Sequence, residues 1–209
     1  MKIAVVAANG KAGQKIVAEA VNRGLDVTAI VRGENKSVAK KFVKKDILDL
    51  TKDDLKDFDV VIDCFGAWTP ETLPLHTKTS QHLCDALSGT DTRLLIIGGA
   101  GSLYLDKTHT TQVFQTKNFP AEYLPTATAQ SAELDELRKR NDVKWTFVSP
   151  AGDFQPDGER TGKYILAGEE FTLNSKGESI ISYADYAIAM IDEATKGNNI
   201  QKRISVVRE

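Results

Sequence analysis

The sequence has few of the features that mark secreted, membrane-spanning or nucleic-acid-binding proteins. It contains only two cysteines, Cys64 and Cys84, and without a Cys-x-x-Cys spacing they predict neither a disulfide framework nor a metal site. Its 27 basic and 29 acidic residues give a net charge of −2, so there is no excess of positive charge for nucleic acid or an anionic membrane. No apolar run approaches membrane-spanning length, and Met1 leads directly into a predicted strand, which leaves no room for a signal peptide. A soluble cytoplasmic protein that holds no metal is expected.

What the sequence does contain is a strand, a glycine-rich turn, a helix and a second strand at its start. Residues 2–7 are rich in Val and Ile and predict a buried parallel strand. After the turn at 8–13, the apolar positions of residues 14–23 fall on one helical face, and Gly24 stands where a left-handed residue ends a helix. Residues 27–31 predict the second strand. Such a βαβ unit is typical of dinucleotide-binding proteins.

The glycine-rich turn predicts a pyrophosphate site. Unpaired N–H groups and partial positive charge at a helix N-terminus stabilise an anion, and glycines let it approach the backbone. Gly10 and Gly13 match the second and third glycines of a G-x-x-G-x-x-G fingerprint. Ala7 takes the first position, so a slightly altered turn is expected; the alternative is an ordinary βα turn with two glycines. The predicted contacts are Ala8, Asn9, Gly10, Lys11, Ala12 and Gly13.

The end of the second strand bears on the choice between NAD and NADP. Sites for NAD usually carry an acidic residue that accepts hydrogen bonds from the ribose 2′-hydroxyl. Here Arg32 follows the strand, and a guanidinium pairs instead with a 2′-phosphate, with help from Lys11 or Lys36. The alternatives are that Arg32 is a solvated strand end and that Glu34 plays the NAD role. We expect NADP(H) in preference to NAD(H).

The rest of the chain alternates apolar runs with helical patterns. With 209 residues, enough for one good core, this predicts a single α/β domain built on a Rossmann-type doubly wound parallel sheet with helices on both faces. Residues 151–209 are expected to form a small C-terminal cap beside the substrate pocket. Further strands are predicted at 42–43, 59–65, 94–97, 143–148, 170–173 and 203–207, and helices at 73–87, 125–140 and 180–195.

Residues that follow the C-terminal ends of parallel strands line the ligand crevice. Asp46 and Ile47 follow the third strand and are candidate neighbours of the adenine, although plain loop filling is an equal alternative. Phe65 and Gly66 follow the fourth, where a small residue lets the chain pass beside the cofactor. Glycines 98, 99 and 101 follow the fifth and indicate a tight bend or a close approach. Ser102, beside them, is a candidate catalytic hydroxyl unless it caps a turn.

Other potentially reactive residues have simpler explanations. Burial at a strand end makes Cys64 inert rather than redox-active. His76 and His82 have no ligand-spaced partners and are expected to be surface or packing residues. The long irregular stretch at 104–122 is expected to form a wall or lid of the pocket.

Taken together, the motifs resemble the atypical short-chain dehydrogenase/reductases. The chain is most similar to the NmrA-like branch of NAD(P)-binding proteins that includes NADH-flavin reductases, and more distantly to mammalian biliverdin reductase B. The resemblance covers nearly the whole chain and is specific for fold and cofactor but not for substrate. The stretches that carry it are residues 8–13, 28–32, 98–103, 145–150, 158–162 and 181–187.

The resemblance implies that residues 9–13 hold the pyrophosphate and Arg32 the adenosine phosphate. It places Phe65 and Gly66 along the cofactor and Ser102 and Pro150 near the nicotinamide. Gly98 and Gly99, in the loop that follows the fifth strand, are also predicted cofactor contacts. The Tyr-x-x-x-Lys pair of the wider superfamily is absent, because Ala127 and Ala187 stand four residues after Tyr123 and Tyr183.

Without that general acid pair, ordinary carbonyl reduction is disfavoured. Hydride transfer to a flavin or quinone demands less of the protein, since the cofactor carries the hard chemistry. The first expectation is therefore an NADPH-dependent flavin or quinone reductase, with Ser102 polarising the acceptor and Tyr123 and His109 as weaker proton donors. The second is an NADP(H) sensor that regulates a protein partner without turnover. The third and least favoured is reduction or isomerisation of a small carbonyl metabolite.

Overall fold

The computed structural model describes all 209 residues and places an eight-stranded sheet between two layers of helices. The strands are β1 (Lys2–Val6), β2 (Asp26–Val31), β3 (Lys41–Lys44), β4 (Val60–Asp63), β5 (Arg93–Ile97), β6 (Lys144–Ser149), β7 (Asp153–Gln155), β8 (Tyr164–Ala167), β9 (Ile180–Ser182) and β10 (Lys202–Arg208). The α-helices are α1 (Lys11–Asn22), α2 (Lys52–Leu55), α3 (Leu75–Leu87), α4 (Leu124–Leu137) and α5 (Tyr183–Lys196). Short 3₁₀ helices span Ile47–Asp49, Val113–Gln115 and Ala121–Tyr123.

The strand order confirms the predicted doubly wound sheet. Seven parallel strands run in the order β3-β2-β1-β4-β5-β6-β10, and β8 pairs antiparallel with β10 at one edge. The order proceeds outward from β1 in both directions, so the winding reverses between β1 and β4. The loops that follow these strands diverge at such a point and leave a crevice for a ligand. None of the helices has the length and apolar character needed to cross a membrane.

The two helical layers bury the apolar faces of the sheet. On one face, Ile16 and Val17 of α1 and Met190 of α5 pack against the strands. On the other, Leu83 of α3 and Leu134 of α4 do the same. The buried residues of α1 and α3 recur at spacings of three and four, which is why the sequence pattern predicts these helices.

Several boundaries differ from those predicted, for local reasons. Helix α1 begins three residues earlier than expected, directly after Gly10, and Gly24 follows its end with φ +71°. The helix expected from residue 180 begins instead at Tyr183, because the Ser182 side chain accepts a hydrogen bond from the Asp185 N–H and caps it. The strand expected at 170–173 is absent: Glu170 makes only a single bridge, to Tyr104.

The C-terminal segment divides between the main fold and the strand ends. Helix α5 and strand β10 are built into the main sandwich, whereas β7 and β9 form a separate parallel pair. The fully buried carboxylate of Asp185 accepts hydrogen bonds from the N–H groups of Thr161 and Gly162, at 3.1 and 2.9 Å, and from the Thr161 hydroxyl at 2.8 Å. The stretches 158–162 and 181–187 therefore form one structural unit, whose role as a cap over the substrate remains a prediction.

The Asp185→Ala substitution should destabilise the protein by about 2–3 kcal/mol, because it removes the shared acceptor of three charge-assisted hydrogen bonds. The measurement is the free energy of unfolding in urea. Asp157→Ala, which removes an exposed carboxylate from the same segment, should change this energy by less than about 0.5 kcal/mol. Equal losses in the two variants would show that Asp185 does not anchor the segment.

Candidate functional site

The turn between β1 and α1 adopts the conformation that a phosphate loop requires. Ala7, in the position of the first fingerprint glycine, has φ +55°, a left-handed conformation that costs an alanine about 1 kcal/mol. The Gly10 N–H donates to the Ala7 carbonyl at 3.1 Å and closes the turn. The turn is thus formed despite the alanine.

Gly10 and Gly13 lack side chains for different reasons. A Cβ on Gly13 would lie 3.0 Å from the Ala7 carbonyl oxygen and from two backbone atoms of Ala8, so this glycine is required for α1 to approach the turn. A Cβ on Gly10 would meet only the Ala7 oxygen, at an ordinary 3.5 Å, and its φ is −64°. Neither packing nor conformation requires glycine at the exposed position 10, where it is the N-cap of α1, and without a side chain it leaves this side of the turn open.

The N-terminus of α1 is open to an anion. No side chain caps it, and its first turn contains no acidic residue. Its orphan N–H groups and the positive end of the helix dipole therefore face the crevice without a competing carboxylate.

Asn9 joins the phosphate turn to the loop after β2. Its side-chain amide donates to the Glu34 carbonyl at 2.7 Å, and its Oδ1 accepts from the Lys36 N–H at 2.8 Å. Arg32 lies in this loop, exposed and without an ion pair. Lys11 and Lys36 are also exposed. The structure thus brings together, at one edge of the sheet, the cations that the sequence predicted near the adenosine phosphate.

The predicted adenine neighbours follow β3. Asp46 Oδ1 accepts from the Leu48 N–H at 2.9 Å and caps the 3₁₀ helix, while Ile47 is buried in the core. Pro150 follows β6 and is also buried. Asp46, Ile47 and Pro150 all lie at the C-terminal edge of the sheet. Their contact with a cofactor remains a prediction.

A group of three buried ionisable side chains lies beneath the loop that follows β4. Asp63, His76 and Glu133, here called the buried carboxyl cluster, are each 2% exposed. Burial raises the pKa of Asp63 to about 6, although a hydrogen bond from the Phe65 N–H lowers it in part. Burial, and after it the charge of Asp63, raises the pKa of Glu133 well above its usual value. Burial thus disfavours the ionised form of both carboxyl groups.

The cluster fixes the loop above it. Burial lowers the pKa of His76, which is neutral at pH 7; its Nδ1 lies 3.7 Å from Glu133 Oε2, an atom with no hydrogen-bond partner. The Nε2 of the same ring lies 3.2 Å from the Ala67 carbonyl oxygen. The loop at 65–67, predicted to run along the cofactor, is thus bonded at both ends to buried side chains.

Of the two glycines directly after β5, Gly98 is required by packing against the buried Phe147 ring, whereas Gly99 faces the end of a flexible side chain. A Cβ on Gly98 would come within 2.1 Å of the Phe147 ring, and one on Gly99 within 2.1 Å of the Gln130 amide. Ser102 Oγ accepts from Arg203 at 2.9 Å and is 1% exposed. A hydroxyl enclosed in this way reaches an acceptor only after its loop moves. Its catalytic role, like the contact of Gly98 and Gly99 with cofactor, remains a prediction.

The loop at 104–122 is fastened to the segment after β8. The rings of Tyr104 and His109 stack at 4.6 Å, and His109 Nε2 lies 2.7 Å from Glu170 Oε1. Tyr123 follows this loop with 62% of its surface exposed, and buried Ala127 stands where a lysine partner would be.

Sequence reasoning missed the buried carboxyl cluster and Arg203. The signal for Asp63 was a lone charge within an otherwise apolar strand, and Glu133 lies next to Leu134 on the apolar face of α4. Arg203 carried no signal, since its partners Ser102 and Glu169 are remote in sequence.

Both cysteines lie in the core, as expected of inert thiols. Burial raises the pKa of Cys84 to about 12, and burial, with a contribution from the charge of Asp63, raises that of Cys64 well above its usual value.

Comparisons with known proteins agree on the family and differ on the reaction. A family model described as NAD(P)H-binding matches residues 7–195. YwnB of Bacillus subtilis (strain 168) is 44% identical over 212 residues, which cover 100% of this chain and 99% of that protein. The crystal structure of SP1627 from Streptococcus pneumoniae TIGR4, described as a candidate NADH-flavin reductase, matches with a TM-score of 0.98 and 60% identity over 100% of both chains. A candidate epimerase from Bacteroides thetaiotaomicron matches with a TM-score of 0.86 and 33% identity, over 99% of this chain and 96% of that one.

The Asp63→Asn substitution should remove part of the pH dependence of stability. The pKa of this carboxyl is about 6 in the folded protein, against 3.8 for an unperturbed aspartate, so folding favours the protonated form and stability falls as the pH rises through 6. The variant should gain about 1.5 kcal/mol of unfolding free energy, relative to the parent protein, between about pH 5 and about pH 8.

The measurement is the free energy of unfolding in urea at several pH values. The quantity compared is its change with pH in each protein, not its absolute value. Asp49→Asn, at an exposed position, should follow the parent protein throughout. Parallel curves of unfolding free energy against pH for Asp63→Asn and the parent protein would contradict a raised pKa at Asp63.

Proposed function

The chain belongs to the NAD(P)H-binding family, and from that premise we propose that it is an NADPH-dependent oxidoreductase that reduces a flat conjugated acceptor such as a flavin or quinone. Binding of the cofactor is supported by the open phosphate turn, where neither packing nor conformation requires glycine at position 10. The acceptor part is supported by the 60% identity to SP1627, described as a candidate NADH-flavin reductase, and by the absent catalytic lysine.

The residues present fit a dinucleotide. The uncapped N-terminus of α1 would hold the pyrophosphate, and the unpaired guanidinium of Arg32 would bind the adenosine 2′-phosphate in a bidentate manner. Residues at the other strand ends would contact the remainder of the cofactor. We assign Ala8, Asn9, Gly10, Lys11, Ala12 and Gly13 to the pyrophosphate, Asp46 and Ile47 to the adenine, and Phe65, Gly66, Gly98, Gly99 and Pro150 to the nicotinamide half.

Bound NADPH supplies a hydride, and one proton from water balances the conversion of an oxidised flavin to its reduced form and NADP⁺. Little acid–base chemistry is then left to the protein, whose task is to hold the acceptor against the nicotinamide. The exposed hydroxyl of Tyr123 is available as a proton donor. Arg203 has only donors to offer, so the Ser102 hydroxyl hydrogen is free to face an acceptor once the loop moves.

A second candidate function is an NADP(H) sensor that acts on a protein partner without turnover. The observation that favours it is the enclosure of the Ser102 hydroxyl together with the alanines in place of a catalytic lysine. This function needs the same cofactor site and no acceptor site.

The deciding experiment measures NADPH and NADH oxidation by absorbance, with and without FMN, riboflavin and a small quinone. Acceptor-dependent oxidation that is faster with NADPH supports the reductase. Tight binding of NADPH without oxidation by any of these acceptors supports the sensor.

Alanine at Gly10 should mainly weaken cofactor binding, whereas alanine at Gly13 should mainly lower stability. Gly10→Ala should fold with a stability within about 1 kcal/mol of the parent protein, yet bind NADPH about tenfold more weakly or worse, because its methyl group occupies the phosphate side of the turn. Gly13→Ala should lose about 1–3 kcal/mol of stability, since its Cβ meets backbone that cannot easily yield.

Fluorescence titration with NADPH and urea unfolding measure the two effects, and Gly168→Ala, at a remote position with room for a methyl group, is the control. Unchanged affinity in a folded Gly10→Ala variant would exclude the turn as the pyrophosphate site.

Arg32→Ala should weaken NADPH binding by about tenfold or more, the cost of losing a charge-assisted bidentate contact, and leave NADH binding nearly unchanged. Lys202→Ala, which removes an exposed cation from another part of the sheet, should affect neither. The affinities for both cofactors are measured by the same titration. Equal affinities of the parent protein for NADH and NADPH would contradict the role given to Arg32.

A further inference from the structure

The two tryptophans of this chain lie in opposite environments. Trp145 is 3% exposed, and its indole N–H donates to the Arg140 carbonyl at 3.0 Å. Trp68 is 73% exposed and makes no hydrogen bond within the protein. It presents a large apolar ring to water from the loop that follows β4. Nothing in the packing of the fold accounts for a tryptophan at this position.

The backbone on both sides of Trp68 is fixed. The carbonyl oxygen of Ala67, the preceding residue, lies 3.2 Å from His76 Nε2 in the buried carboxyl cluster. The N–H of Thr69, the following residue, donates to the Thr72 hydroxyl at 3.2 Å, and the Thr72 N–H donates back to the Thr69 carbonyl at 2.8 Å. A rigid backbone leaves only the two side-chain torsions of Trp68 to be ordered when it binds a ligand, so the contact is preorganised in part.

The indole rests on Gly66 by one edge. A Cβ built on Gly66 would lie nearest to Cζ2, Cε2 and Nε1 of Trp68, at 3.3, 3.7 and 3.9 Å, and these three atoms are consecutive along one edge of the ring. With this edge supported and most of the ring exposed, a flat face is free for stacking.

The sheet order places Trp68 on the nicotinamide half of the crevice. Arg32 follows β2, the phosphate turn follows β1, and Trp68 lies in the loop after β4, on the opposite side of β1 from β2. A dinucleotide bound with its adenosine phosphate at Arg32 and its pyrophosphate at the turn extends toward β4. Its reactive ring then lies near this loop.

We propose that Trp68 is the stacking surface for the flat conjugated electron acceptor. The inference rests on the proposed reductase function and deepens it by naming a residue that binds the acceptor. An aromatic face binds an extended planar ring system such as isoalloxazine through offset stacking, and offers much less to a small aliphatic carbonyl compound. Trp68 thereby selects for acceptors with an extended ring system and holds them against the cofactor.

The test uses FMN as the probe and the variants Trp68→Leu, which keeps an apolar side chain without an aromatic face, and Trp68→Phe, which keeps a smaller face. With NADP⁺ present, FMN binding is followed by the FMN fluorescence, and the KM values for FMN and NADPH are measured separately. Trp68→Leu should raise the Kd and KM for FMN by about tenfold with the KM for NADPH unchanged, and Trp68→Phe should show a smaller rise. Leu166→Ala, an equally apolar exposed site on β8, should change neither.

A second measurement needs no variant. Trp68 is the tryptophan that acrylamide can reach, so bound FMN should protect the accessible fraction of the emission of the parent protein. This result supports the proposal even if a Trp68 variant fails to fold.

The outcomes for stacking and for the reductase function are distinguishable. FMN-dependent turnover with unchanged Kd and KM for FMN in Trp68→Leu would overturn the stacking role and leave the function intact. FMN protection of Trp68 without NADPH oxidation would support stacking and overturn the function. A change in sedimentation of Trp68→Leu with unaltered FMN binding would show that a second copy of the chain covers this ring, and would overturn the proposal.

Discussion

The close approach of α1 to the end of β1 is the contact on which the candidate site depends. Gly13 lies against the backbone of Ala7 and Ala8 with no room for a methyl group, and this contact brings the first turn of the helix to the edge of the sheet. Asn9 then ties the loop after β2 to the same point. The proposed cofactor site thus depends on backbone geometry in one short turn, to which the proposed role of Arg32 adds a single charge.

The buried carboxyl cluster is an energetically unfavourable feature of the folded protein. Two buried carboxyl groups with raised pKa values lie in one cluster with a buried imidazole, and one Glu133 oxygen has no hydrogen-bond partner. Arrangements of this kind are unfavourable in an ordinary core and tend to occur where function requires them. Here the cluster holds the loop at 65–67 through Asp63 and His76, and the same loop carries Trp68. This unfavourable arrangement lies beneath the loop that we propose contacts the nicotinamide half of the cofactor.

The sequence was sufficient for the sheet and the phosphate turn because both depend on local patterns. Apolar runs of strand length and helices with one apolar face predicted the doubly wound fold, and two glycines between a strand and a helix predicted the turn. The capped start of α5 was not recognised, because a three-residue strand and a Ser182 cap look like the first turn of a longer helix. The contacts of Ser102 and Glu133 could not be predicted either, since Arg203 and His76 reach them only through tertiary packing. The close approach predicted at glycines 98 and 99 is present, but the groups that approach them are Phe147 and Gln130 of the protein itself.

The burial of both thiols determines how the cysteines of this protein respond to oxidants. Because Cys64 and Cys84 are enclosed and their pKa values are raised, neither forms an appreciable thiolate at physiological pH, and the thiolate is the form that attacks peroxides and disulfides. A protein that passes electrons to flavins or quinones is exposed to the oxidants that reduced forms of these molecules generate in air. The two cysteines of this chain offer such oxidants no reactive thiolate, so thiol oxidation is not expected at either position under conditions that oxidise exposed, low-pKa cysteines.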